Sequence, residues 1–210
     1  KKMEASDWDD IIFEATYPMA KVRYIDKQLP IDITAEIFSP FIPLDEKNSS
    51  LPCTVYSFNI KNRSAATITV DVLGWLENKV APRSAKEPDK RVNTVFSDKN
   101  TQGVFCSIGL NANPALSAAA DYGSLSIASI GKQAITQTNF SLPITASSFG
   151  QQIADKTEKG IADRLMASVC TSHQIGPNQT ASTETVISWH FVNLKLNKAI
   201  QDKGRYYNNW

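Results

Sequence analysis

The chain has 210 residues, 42% of them hydrophobic and 20% charged, and a formal net charge of +1. This length and composition allow one large β domain, or two small ones, with a real buried core. The charge balance excludes a basic field for nucleic acid or an anionic membrane, and no apolar run approaches the roughly 18 residues of a membrane span.

The opening residues, KKMEASDWDD, carry lysines with no apolar stretch behind them, which is not the pattern of a signal peptide. Residue 1 is not Met, and the chain reads as a processed or excised piece of something longer. Residues 7–14 form a short acidic lead-in to an apolar patch. Residues 19–26, MAKVRYID, alternate and suggest a strand. Ile31, Ile33, Ala35 and Ile37 then alternate with Asp32, Thr34 and Glu36, the period of two of a half-buried strand.

Pro40, Pro43 and Pro52 bracket a connection that cannot be regular, because each lacks an N–H and restrains the residue before it. Its apolar residues Phe41, Ile42 and Leu44 are expected to lie over the edge of the core or against a neighbour, with 45–50 as the polar tip. Residues 53–61 read as another strand, with Thr54, Tyr56, Phe58 and Ile60 on one face. Ile68, Val70 and Val72 start a third that runs toward Gly74-Trp75-Leu76-Glu77-Asn78.

Residues 81–91 are polar and contain proline, so they read as a surface loop. Strand signals resume at 92–97, 103–110, 122–131 and 134–142. Residues 148–160, containing FGQQIADKTEKG, are the only helix candidate, stopped by Gly160. A strand at 164–173 meets the Gly176-Pro177-Asn178 turn and returns at 183–191. There Thr185, Ile187 and Trp189 oppose Val186, Ser188 and His190. The sum, about ten or more short strands with frequent turn signals and at most one short helix, predicts an all-β, two-sheet antiparallel β-sandwich.

Chemistry-bearing motifs are few. Cys53, Cys106 and Cys170 match no CxxC or zinc spacing and read as buried small hydrophobes. His173 and His190 are the two histidines; His190, beside Trp189, reads as fixed by packing or lying at an interface. There is no Gly-rich phosphate loop, GxSxG or HExxH, and no cofactor is expected. Glycosidases need two carboxyls flanking the scissile bond. Glu77 beside Trp75 is the best-placed acid, although a Trp before a polar turn is also ordinary sandwich construction. Sequons occur at Asn48, Asn62, Asn139 and Asn178. The tail, KGRYYNNW (203–210), holds three aromatics and an arginine, residues favoured where two surfaces meet.

Several stretches form a set in one order: YPMAKVRY (17–24), EIFSPFIPLDEKNSSLPCTVYSFNIKN (36–62), GWLEN (74–78), YGSLSIAS (122–129), ISWHFVN (187–193) and GRYYNNW (204–210). Together they resemble the N-terminal domain of the non-lysosomal glucosylceramidase family, the β-glucosidases of glycoside hydrolase family 116, over nearly the whole chain. The resemblance implies a β-sandwich (residues 1–203), with 204–210 starting a linker to a C-terminal catalytic (α/α)6 barrel of the same polypeptide. That barrel would bind most of the β-glucoside or glucosylceramide substrate and supply the Glu nucleophile and Asp acid/base of a retaining mechanism, with this domain buttressing it and shaping the rim of its cleft.

No catalytic residue is carried over, then, and Trp189, His190, Arg205, Tyr206 and Tyr207 are the expected interdomain contact. Two departures touch the exit toward the barrel. Val192 stands where the family has a proline, and Gly176-Pro177 replaces its Pro-Gly turn. The rival reading is a free-standing carbohydrate-binding or adhesion sandwich with Trp75 as a sugar platform. The sequence leaves the compartment open.

Overall fold

The computed structural model describes residues 1–131, 134–150 and 154–193. Among these, twelve strands form two antiparallel sheets. In chain order they are β1 (Asp10–Thr16), β2 (Met19–Ile25), β3 (Ile31–Phe38), β4 (Cys53–Asn62), β5 (Ile68–Glu77) and β6 (Lys90–Ser97). They continue as β7 (Thr101–Ile108), β8 (Ser124–Ile130), β9 (Ile135–Phe140), β10 (Lys156–Gly160), β11 (Met166–Ile175) and β12 (Thr180–His190). The large sheet runs β1-β2-β3-β4-β12-β8-β7-β6-β10, and the small sheet is β5-β11-β9. The predicted sandwich is therefore present, but its two layers are unequal.

Alternation explains most of these strands. Ile33 and Ile60 are cross-strand partners and pack with Ile175. Phe58, Ile68, Val70 and Val72 surround them. A second core lies between the layers, where Val104, Cys106 and Ile127 of the large sheet meet Ala167 and Val169 of β11. Each Val or Ile side chain among these, taken from water, contributes about 1.5–3 kcal/mol. The small sheet stacks mainly over β12, β8, β7 and β6.

One expectation needs correction and others are refined. The helix expected at 148–160 is not found among the described residues of that stretch. Residues 146–149 make one 3-10 turn, and 156–160 are β10, paired along β6 from Lys156↔Thr94 to Gly160↔Lys90. That stretch has no apolar stripe at helical spacing, and a charged edge strand needs only its backbone ladder. Among the described residues the one α-helical turn, α1 (Glu46–Ser49), sits instead in the proline-bracketed connection, where Asp45 caps it by accepting from Asn48 N–H. Residues 7–14 are largely strand, since β1 pairs with β2 throughout.

The loop at 81–91 is largely exposed, as expected, and it also borders a small core of its own. Val80 and Ala81 are fully buried with Ile108 and Leu116. The Asp121 carboxylate accepts from Arg83 N–H (2.8 Å) and Ser84 N–H (3.1 Å), holding the loop down. Buried Arg91 donates to Val80 O (3.2 Å) and Ile161 O (3.1 Å). Asp89 and Arg91 are buried, while Arg83, Lys86, Glu87 and Lys90 face water.

Candidate functional site

The end of β12 is built by its two neighbours. Trp189 pairs with Leu125 of β8 and its N–H donates to Pro52 O at 2.9 Å. Ile187 packs on the central core, so alternation places Trp189 on the inner-facing side, half-buried, and His190 on the other, exposed. The chain then leaves through 191–193 under tight constraint. A Cβ on Gly123 would collide with His190 O and lie 2.6 Å from Phe191 Cδ1, so only a hydrogen fits there. Asn193 donates to Ser117 O (2.7 Å) and Ala119 O (2.8 Å), fastening the exit to the β7–β8 connection. Of the five residues expected at an interdomain contact, Trp189 and His190 are thus side by side in sequence at a fixed exit. Arg205, Tyr206 and Tyr207 lie outside the described residues.

The other histidine is a core residue. His173 is buried in β11, with Nε2 3.2 Å from Thr171 Oγ1, which in turn lies 3.0 Å from Thr183 Oγ1 of β12. Cys106 and Cys170 are buried and Cys53 is half-buried, and all three are free. No group of three or more His, Cys, Asp or Glu side chains gathers as metal ligands among the described residues.

Trp75 and Glu77 follow one another on β5 but do not make a sugar site. Trp75 lies on the face away from Leu76 and stacks on Phe140 of β9 (centroids 6.0 Å apart, 29° between planes). On that face Gln137 donates to Ser148 O and Gly150 O, drawing segment 148–150 across the small sheet. The indole is half-buried packing rather than an open platform. Glu77 pairs with Lys79 (2.8 Å) and Arg164 (3.2 Å). The Lys79 hydrogen bond, with support from Arg164, holds its carboxyl below the usual range. A general acid for glycoside cleavage needs the opposite shift, so Glu77 is a surface ion-pair residue.

The feature that sequence reasoning did not resolve is an apolar cleft of about 590 Å³ at the end of β1–β4. Its floor is Ala15, Ala20, Ile37 and Thr54, neighbours on the large sheet. Its walls are the β1–β2 turn (Tyr17, Pro18, Met19) and the start of the 39–52 connection (Ser39, Pro40, Phe41). Tyr17 and Phe41 meet edge-on at 5.1 Å. Phe41, Ile42 and Leu44, expected to cover the core edge or meet a neighbour, point outward: Leu44 is 106% exposed and Tyr17 80%. The sequence signal was the unusual number of apolar letters in a proline-rich loop.

Among solved structures, similarity is distant. A putative kojibiose phosphorylase from the human microbiome aligns at 10% identity and TM-score 0.39, over 82% of this chain and 17% of that one. Heparan sulfate lyase HepC from Pedobacter heparinus aligns at 10% identity and TM-score 0.42, over 86% and 21%. A galactose mutarotase related enzyme from Lactobacillus acidophilus aligns at 8% and 0.43, over 86% and 71%. The chain thus spans about a fifth of the first two proteins. No curated protein matches it. The family model described as "beta-glucosidase 2, glycosyl-hydrolase family 116 N-term" matches residues 1–210, its full length. The chain therefore belongs to glycoside hydrolase family 116, as the N-terminal β-sandwich domain of that family.

Proposed function

We propose that this chain is the non-catalytic sandwich of a glucosylceramidase-like retaining β-glycosidase. In this reading residues 1–203 buttress a C-terminal (α/α)6 barrel and 204–210 lead into it. The barrel hydrolyses β-glucosides or glucosylceramide. The observation that carries the reading is the match of all 210 residues to a family model for an N-terminal domain. It is supported by Glu77, the best-placed acid in the sequence, which is tied up in ion pairs. Trp189, His190, Arg205, Tyr206 and Tyr207 are assigned to the contact with the barrel. The pinned exit at 190–193 would fix the direction in which that contact is made.

The test compares the full-length protein with residues 1–210 on an aryl β-glucoside. Turnover is expected from the full-length protein and none from residues 1–210. Turnover by residues 1–210 alone would overturn the proposal.

A further inference from the structure

The large sheet has nine strands and its cover has three. Stacking of the small sheet is concentrated on β12, β8, β7 and β6, away from the β1 edge. On β4, Phe58 and Ile60 of the inner face are in the core, while Thr54 of the same face lines the open cleft. On β3, Ile33 and Ala35 are buried and Ile37 reaches the cleft. The cleft floor is therefore the same apolar sheet face that makes the core, continued past the edge of its cover.

Tyr17, Met19 and Phe41, which line the cleft, stand exposed, and so do Ile42, Leu44 and Leu51 of the adjoining 39–52 connection. A concentration of this kind on one face marks a contact surface. Leu44 adds an independent sign. Its φ is +66°, a left-handed conformation that costs an L residue roughly 1–2 kcal/mol, and the strain presents the whole side chain to solvent. The connection is also held ready. Ser49 Oγ accepts from Ile42 N–H (2.8 Å) and donates to Ile42 O (3.0 Å), while Asp45 N–H donates to Ile42 O (3.0 Å). A surface ordered before binding loses less entropy on contact.

We propose that this uncovered rim is the face on which the domain following this module in the same polypeptide docks, with Leu44, Phe41 and Tyr17 as its anchors. The inference rests on the reading that a catalytic domain follows. The choice of occupant rests on where the chain leaves. Pro52, the last residue of the connection before β4, accepts the N–H of Trp189, and residues 191–193 depart directly after His190. A domain tethered there meets the rim at high effective concentration. A lipid surface would ask for clustered basic residues, and the tip carries Asp45, Glu46 and Lys47 in mixture.

The experiment places a photoreactive benzoylphenylalanine at position 41 or 44 of the full-length protein. Position 99, in the β6–β7 turn at the opposite end of the large sheet, is the control. Irradiation is expected to give crosslinks within one chain, from 41 and 44 to residues beyond 210, at several times the yield from 99. Crosslinks between two copies, or yields no higher than at 99, would overturn the proposal. A crosslink from position 99 into the same chain, in protein that still hydrolyses an aryl β-glucoside, would reject this face and leave the module reading standing. A double variant, Phe41→Glu with Leu44→Glu, replaces side chains already in water. It is expected to increase proteolytic cleavage between the two domains of the full-length protein, and unchanged cleavage counts against the docking face.

Discussion

Asn62 lies in a sequon, Asn62-Arg63-Ser64, yet its side chain is fully buried. Its amide donates to Ala66 O (2.7 Å), Ile175 O (2.9 Å) and Gly176 O (3.1 Å), and its oxygen accepts from Ser64 N–H (2.8 Å). One side chain thus ties the β4–β5 turn to the β11–β12 turn. A sugar on that nitrogen is incompatible with this packing. When the chain is expressed through a glycosylating secretory route, the folded fraction is expected to lack a glycan at Asn62; peptide mapping that finds one there refutes the assignment. Asn62→Ala leaves buried carbonyls unpaired, at about 1–3 kcal/mol each. A loss of about 3 kcal/mol in chemical denaturation is expected.

The buried thiols carry a pH dependence. Burial pushes Cys106 up to about 12, and burial with the nearby Asp71 charge pushes Cys170 up to about 11, from an ordinary 9.0. The folded state therefore holds these protons more tightly than the unfolded chain. The stabilising contribution is complete below about pH 9 and falls as pH rises through the folded values, by about 1.4 kcal/mol per pH unit for each thiol. Cys106→Ala removes one of these titrations. Its unfolding free energy should decline less steeply between pH 9 and 11 than that of the parent, and equal slopes would show that Cys106 contributes nothing.

Strand spacing rests on a few close approaches. A Cβ on Gly103 of β7 would strike Ile127 O and come within 2.7 Å of Ala128 Cβ on the neighbouring β8. Gly103→Ala is therefore expected to cost about 1–3 kcal/mol. Gly109→Ala, whose new carbon would meet Lys90 O at 3.7 Å, should stay within about 0.5 kcal/mol of the parent. Denaturant midpoints compare the two, and equal effects would contradict the packing account.

The strands that alternation revealed, such as β3, β4 and β12, each bury one face. β10 was missed because Lys156, Glu158 and Lys159 give an edge strand no apolar period to read, and Gly160 looked like a helix stop while pairing with Lys90. The apolar cleft was not legible as a site. The ISWHFVN stretch suggested Trp189 and His190 as contact residues, and the structure shows only that they end β12. The outward turn of Phe41, Ile42 and Leu44 was not legible either, because an apolar loop residue does not reveal in one sequence whether its face is covered. That depends on how many strands each layer holds.

Unequal layers also distribute stability. β11 is the central strand of the small sheet and is buried along most of its length, with Ala167 and Val169 in the central core. β1 is the outer strand of the large sheet and is exposed along most of its length. Opening β1 exposes little apolar surface and breaks one ladder, whereas opening β11 separates two ladders and a core. Local opening free energies follow such differences in burial. In residues 1–210 alone, amides of β1 and its hairpin partner β2 are expected to exchange with deuterium orders of magnitude faster than those of β11, with β3 and β4 between. Equal protection of β1 and β11 would mean that the β1 edge belongs to the same cooperative unit as the core. If the rim of β1–β4 is covered in the full-length protein, the β1–β2 turn and residues 39–44 should slow there while β11, already buried, keeps its rate.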